Sequence, residues 1–521
     1  MPAALCLFLL APALALGATF RITPTADISE SYTDNVQSVS EGAESDLITQ
    51  TQVGANFAAD GARLNLNLNV SAVHDYYLES DGLNGIRPRA LGSGDVELWQ
   101  DHFFINSSVS MSETSTRRNG ARSATDRSLP SNRTQLLLYD FSPRLVGHLG
   151  RLLEATLQYS HSESRFSKPA SGVSTALPIT PVTLPITANP NLLRNQNRDQ
   201  KSDDYSLSLD TGRYFSSFSS QLIFEKSTTK SAGTQNQTDD RVDLVNEYQI
   251  TRQVALIARA GYEDVGSGDS SLASSGATGA FGVHLKPGPK VDFRTEYGRR
   301  FGDPNLSADL TYRISSFYTL NASYEQSIET QNSTRLNQLN RLTVAPDGRL
   351  VDPFSGSARD PSQSSFDLRN AAFRQDSFQM GLSGSFGRNT INLGVDLTSR
   401  ESAQRASKEE ELGINLNLSR RLQPRLTGDV GISFSDTLKG GGAAGPGLAP
   451  PVPVNTGRTN AGFGNGGASG DETSYEGDAS LNYRLGEMFS SNLEYSYLRR
   501  EQGAGQNISE NVITLGVQAS F

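Results

Sequence analysis

The sequence predicts an all-β fold: a single transmembrane antiparallel β-barrel of about 22 strands, with short periplasmic turns and long extracellular loops. Three features predict it. Apolar and polar residues alternate with period two from residue 20 to the end, short and long connections alternate along the chain, and aromatic residues fall in two rows about one strand-length apart.

The alternation is clearest where Leu64, Leu66, Leu68, Val70 and Ala72 share one face and Asn65, Asn67, Asn69 and Ser71 the other. Leu412, Ile414, Leu416 and Leu418 oppose Gly413, Asn415, Asn417 and Ser419 in the same way. Val254–Tyr262 and Ile391–Leu397 repeat the pattern. About 22 such segments of roughly 10 residues occur, the length a tilted strand needs to cross a bilayer.

Ala59-Asp60-Gly61, Gln100-Asp101, Lys286-Pro287-Gly288-Pro289, Gly387-Arg388-Asn389 and Gly486-Glu487 read as short turns. Long polar loops come between them, the longest at about 166–204, 328–376 and 437–473. The last is rich in Gly and Pro, a flexible composition. An even strand number puts both chain ends on the short-turn side.

Tyr32, Tyr76, Tyr159, Tyr262, Tyr297, Tyr324 and Tyr497 end the apolar stripes of outward-running strands, and Tyr205 and Tyr475 begin inward-running ones. Phe141, Phe218, Phe386, Phe489 and Phe521 are expected at the opposite rim. Two such rows are the girdles of a membrane barrel. A secreted β-repeat protein also alternates, but it buries its apolar face against another sheet and needs no girdles.

Composition agrees. The chain has 521 residues, 46 basic against 56 acidic, and a net charge of −10, which argues against nucleic acid as a partner. Only 36% of residues are hydrophobic and the mean hydropathy is −0.42, low for a packed globular protein of this size. Residues 1–18 (MPAALCLFLLAPALALGA) read as a signal peptide, too short to span a bilayer, so 19–521 is the expected mature barrel. Cys6, the single cysteine, lies inside that segment, which leaves no disulfide, thiolate metal site or cysteine nucleophile in the mature chain. The expected location is the outer membrane of a Gram-negative bacterium. No plug domain is expected ahead of a first strand that begins at about Phe20, unlike the plugged transporters of similar width.

Apolar residues alternate back from the last residue as Phe521, Ala519, Val517, Leu515 and Ile513. This ending resembles the signal by which the barrel-assembly machinery recognises its substrates.

Residues opposite the apolar stripes are expected to line the lumen. They include Gln50, Gln52, Asn56, Asn65, Asn67, Asn69, Gln221, Glu225, Asp243, Glu247, Arg259, Glu263, Asp292, Arg294, Glu296, Asn392, Asp396, Asn415, Asn417, Asn492 and Glu494. Side-chain amides donate and accept, so they suit sugar hydroxyls, although any water-filled barrel needs a polar wall. The loops at 328–376 and 166–204 are candidates to fold inward, and Ala345-Pro346-Asp347-Gly348-Arg349-Leu350 reads as the turn of a loop hairpin.

No catalytic, cofactor or metal motif is present. Gly440–Gly445 fits GxGxxG only formally, with no helix pattern behind it. His74, His102, His148, His161 and His284 each lack a partner motif, and His74 and His161 extend apolar stripes at the outer rim.

Ser31-Tyr32-Thr33-Asp34-Asn35-Val36 at the close of the first strand, Asn132-Arg133-Thr134, and Ser142-Pro143 at a turn resemble the outer-membrane β-barrel family associated with PEP-CTERM/exosortase systems. Arg144 stands where that pattern has Tyr. The resemblance covers essentially the whole mature chain in length and layout. It implies an outer-membrane role in exopolysaccharide production or export. The expected function is a conduit or scaffold with no catalytic chemistry, and the expected partners are exopolysaccharide, periplasmic export components and outer-membrane lipid or lipopolysaccharide. A general or solute-selective porin, and a structural barrel plugged by its loops, are the alternatives.

Overall fold

A computed structural model describes residues 18–115, 123–125, 127, 133–167, 199–211, 215–231, 236–266, 274–300, 302–330, 333–335, 337, 343–344, 350–351, 373–402, 407–439, 472–502 and 506–521. Residues 1–17 of the expected signal, the Gly-rich stretch from 440, and most of the three longest loops lie outside them.

The strands follow the alternating segments. The first half comprises β1 (Thr19–Thr33), β2 (Asp46–Asp60), β3 (Leu64–Tyr77), β4 (Gly85–Trp99), β5 (Phe103–Ser115), β6 (Arg133–Leu149), β7 (Leu153–Ser167), β8 (Gln200–Thr211), β9 (Phe218–Ser231), β10 (Gln237–Thr251) and β11 (Val254–Gly266). Then come β12 (Ser274–Gly288), β13 (Val291–Arg300), β14 (Asp303–Arg313) and β15 (Tyr318–Glu329). A two-residue hairpin, β16 (Thr343–Val344) and β17 (Leu350–Val351), flanks the turn expected at 345–350. The barrel resumes with β18 (Phe373–Phe386), β19 (Asn389–Ser402), β20 (Ser407–Gln423), β21 (Leu426–Lys439), β22 (Glu472–Arg484), β23 (Phe489–Gln502) and β24 (Gln506–Ser520).

Apart from the β16–β17 hairpin, each strand pairs antiparallel with its neighbour in sequence, β15 with β18, and β24 pairs with β1. The result is a closed 22-stranded barrel with no free edge. Tight connections join β2 to β3, β10 to β11 and β18 to β19, the last through Gly387 at φ +63°, where a missing Cβ relieves the left-handed backbone. Both ends of the ring lie on this side, where the Phe521 N–H donates to Pro24 O (3.0 Å).

Register carries one face around the whole ring. Tyr32 sits opposite Leu47, Thr49 opposite Tyr76, and Tyr262 opposite Val242 and Ala277. Phe281, mid-strand between Ala258 and Tyr297, is 79% exposed, as a lipid-facing side chain must be. Among the described residues the barrel therefore has no central apolar core. A small one sits at the extracellular end, where Val36, Ile48 and Tyr77 pack with Leu83.

Two expectations fail together. Phe141 is not at the periplasmic rim, and Ser142-Pro143 is not a turn: all three lie inside β6. Phe141 pairs with His161, near the tyrosine row rather than opposite it. The Pro invited a turn assignment, yet the chain continues as strand and the ladder yields instead. Pairing between β6 and β7 runs to Phe141↔His161, resumes at Arg144↔Gln158, and is absent between. Proline lacks the N–H that the ladder needs.

Candidate functional site

The lumen wall is the candidate site. Because side chains alternate, fixing the outward face fixes the inward one. Asn65, Asn67 and Asn69 alternate with Leu66 and Leu68, whose partners Ala59 and Phe57 share the lipid face, so the three asparagines face inward. Asn69 stands opposite Asn56, and Asn417 opposite Asn392. Asn415 alternates with Ile414 and Leu416 and is inward as well. The Asn56 and Asn415 side-chain oxygens are buried without a hydrogen-bond partner among the described residues.

Charged residues gather on the inner face of β10 to β13. Arg241 holds Asp243 at very short range. Arg259 bridges Asp243 (3.3 Å) and Glu296 (3.0 Å). Arg294 joins Glu296 (2.9 Å) to Glu247 (3.2 Å). His284 lies between Glu247 (2.9 Å) and Asp292 (2.8 Å), and Arg300 holds Glu263 (2.9 Å). Arg294 and Glu296 thus sit in one chain of alternating charges that crosses four strands. Gly282 makes room for it: a Cβ there would lie 2.8 Å from Glu296 Cγ. Four guanidinium groups against five carboxylates leave the network close to charge balance, and it offers many hydrogen-bonding groups on a fixed scaffold.

The residues expected on the lumen wall include most of this network but not Arg241, Arg300 or His284. A search for local partner motifs cannot see His284, because both of its carboxylates come from strand pairing. Its phase against Val283 and Leu285 was the available signal.

The extracellular mouth is built from parts that alternation does not reveal. Asp34 accepts from the Asn511 backbone N–H and side-chain amide, both at 2.7 Å, across the β1–β24 seam. Glu510 is fully buried there and accepts from Thr33 Oγ1 (3.0 Å), Ser123 Oγ (3.2 Å) and the Ala124 N–H (2.9 Å). Ser123 and Ala124 of the β5–β6 connection therefore lie at the seam. Tyr77, an inward residue, donates to Arg127 O (2.5 Å) on the same segment. From the far side of the ring, Arg335 in the β15–β18 connection reaches Thr114 of β5 (3.4 Å) and lies over the Phe166 ring (5.6 Å).

At the seam, Ile513, Leu515, Val517 and Ala519 of β24 share the outward face with Tyr32 and Ile28 of β1, and Phe521 is 59% exposed. Among the described residues, no group of three or more His, Cys, Asp or Glu has the geometry to hold a metal ion.

No protein-family model matches the chain, and no curated protein matches it in sequence. Solved structures do resemble it. The FrpB iron transporter from Neisseria meningitidis (F5-1 variant) matches with a TM-score of 0.51 and 11% identity, over 98% of this chain and 84% of that one. The siderophore receptor PirA from Acinetobacter baumannii gives 0.48 and 9%, over 96% and 81%. At such identities the likeness is one of fold. With a closed ring, a lipid-facing apolar belt and tyrosines along its rim, the chain is a Gram-negative outer-membrane β-barrel.

Proposed function

We propose that this barrel is a gated conduit through the outer membrane for a bulky, hydroxyl-rich solute, and that exopolysaccharide is its cargo. The carrying observation is the reach of Arg335 from one side of the mouth to Thr114 on the other. Residues 333–335, held against the opposite strand at the mouth, must move before anything large can pass. The wall supports the cargo class, because its amides match sugar hydroxyls and its largest charge cluster is internally paired. The resemblance carried by Ser31–Val36 supports exopolysaccharide in particular. On this reading the partners are periplasmic export components, which supply the driving force, with the barrel-assembly machinery and outer-leaflet lipid as partners in assembly. The barrel itself performs no chemistry.

A second reading is uptake of a compact solute. The fold likeness to FrpB, an iron transporter, favours it.

Conductance in a planar bilayer tests the conduit. The full chain is expected to conduct weakly, and a variant lacking residues 331–372 to conduct strongly and steadily. Strong conductance from the unaltered chain would make it a porin. Silence from the folded deletion variant would make it a structural barrel. In the open variant, block by neutral dextran but not by small ferric chelates favours polymer cargo over compact solute.

A further inference from the structure

The outer surface beyond the tyrosine row is uneven in charge. On β7, β8 and β9 the outward positions carry Arg165, Lys201, Lys226 and Lys230. Register sets Lys201 directly opposite Lys230, and Lys226 opposite Tyr205 at the level of the girdle. The three lysine side chains are 51%, 56% and 58% exposed for Lys201, Lys230 and Lys226.

Two ammonium groups directly opposite on one sheet face repel each other. Glu163 and Asp203, the carboxylates beside this pair, offer limited relief because each is engaged elsewhere, while Lys226 is paired with Asp240 (3.1 Å). Glu163 holds Arg165 (2.6 Å) as well as the Tyr139 hydroxyl. Asp203 accepts from Tyr159 (2.9 Å) and lies 2.8 Å from His161 Nδ1. Lys201 reaches Glu163 at 3.3 Å and Lys230 reaches Asp203 only at 3.9 Å. The corresponding face of β18 to β20 leans the other way, with Asp376, Glu401 and Glu410 against Arg374 and Lys408.

Below the cations runs an apolar track. Leu207 pairs with Phe224 and Leu209 with Leu222, all on the outward face. The Tyr159 and Tyr205 rings, 4.9 Å apart, mark the join between track and cations. Fixed positive charge above, aromatic rings at the interface and apolar surface below match one kind of molecule, a phosphorylated glycolipid of the outer leaflet.

We propose that the outward face of β7–β9 is a binding site for such a lipid, with Lys201 and Lys230 sharing one phosphate and Lys226 at the headgroup boundary. A phosphate between the two lysines replaces their repulsion with charge-assisted hydrogen bonds. The site is independent of what passes through the lumen.

Native mass spectrometry of the full-length barrel in detergent, titrated with diphosphoryl lipid A, tests it. The wild type is expected to retain the lipid, and the Lys201→Gln/Lys230→Gln double variant to bind it about tenfold more weakly. Lys408→Gln, on the acidic face, is expected to bind as wild type. Lys226→Gln alone is expected to weaken binding less than the double variant. Heat-modifiable mobility on gels verifies that each variant is folded. Equal retention by wild type and double variant, or equal retention of dephosphorylated lipid, overturns the site. Displacement of the lipid by inorganic phosphate would assign the pair to a free anion and overturn the lipid proposal.

Discussion

Ser160 donates to Asp140 at 2.6 Å, across the part of the β6–β7 ladder left unpaired beside Pro143. Ser142 donates to the other oxygen of the same carboxylate (2.8 Å), and the two hydroxyls are 2.9 Å apart. Side chains on the lumen face thus stitch the strands together where the backbone does not. Arg87 does the same between β4 and β5, whose pairing begins only at Ala90↔Met111: it binds Asp75 on β3 and Glu113 on β5 (2.8 Å).

Replacing Asp140 should therefore weaken the wall more than an ordinary lumen substitution. Asp140→Ala leaves the buried Ser142 hydroxyl and the half-buried Ser160 hydroxyl without their shared acceptor, a loss of about 1–3 kcal/mol. Urea unfolding in lipid vesicles, followed by tryptophan fluorescence of Trp99, measures it. A cost no greater than that of Asn67→Ala would show that the stitch is not needed.

The sequence made the barrel legible because a membrane barrel writes its two faces into every strand. Asn65 to Asn69 and Asn415 to Asn417 could be assigned to one face from period two alone, and the closed ring keeps that phase from β1 to β24. What alternation cannot convey is contact between distant segments. Glu510 with Ala124, or Arg335 with Thr114, depends on how irregular loops fold, and loops carry no period. Pro143 misled for a related reason. A proline inside an alternating run signals either a turn or a gap in the ladder, and only the neighbouring strand decides which.

Depth along the lipid face should set the cost of a buried charge. Leu416 pairs with Leu393 and Ile432 midway along an apolar run from Leu412 to Leu418. Leu66 lies two residues from the start of β3, near the periplasmic rim. Leu416→Lys is expected to destabilise the folded barrel by about 2–4 kcal/mol and Leu66→Lys by about 0–1 kcal/mol. Equal costs at the two positions in equilibrium unfolding would mean that this depth ordering is wrong.

The ion network on β10 to β13 should behave as a unit. Arg259→Gln removes the cation shared by Asp243 on β10 and Glu296 on β13, leaving each carboxylate with one guanidinium partner instead of two. A loss of about 1–3 kcal/mol is expected. Glu296→Gln in the same chain should restore part of it, because the amide no longer repels Asp243. Strict additivity of the two substitutions in a double-mutant cycle would show that these side chains act independently.

The last strand has two separable roles. Deleting residues 506–521 removes the partner of both β1 and β23 and leaves two open edges, so no folded barrel should form in vesicles or in cells. Phe521→Ala leaves every pair of β24 in place, and its backbone N–H can still reach Pro24. If the terminal Phe is chiefly a recognition mark for the assembly machinery, this variant should refold normally in vesicles yet reach the outer membrane in reduced amount. Heat-modifiable mobility read in both settings distinguishes the roles. Wild-type levels in the outer membrane would remove Phe521 from the signal, whereas failure to refold in vesicles would make it a structural anchor of the seam.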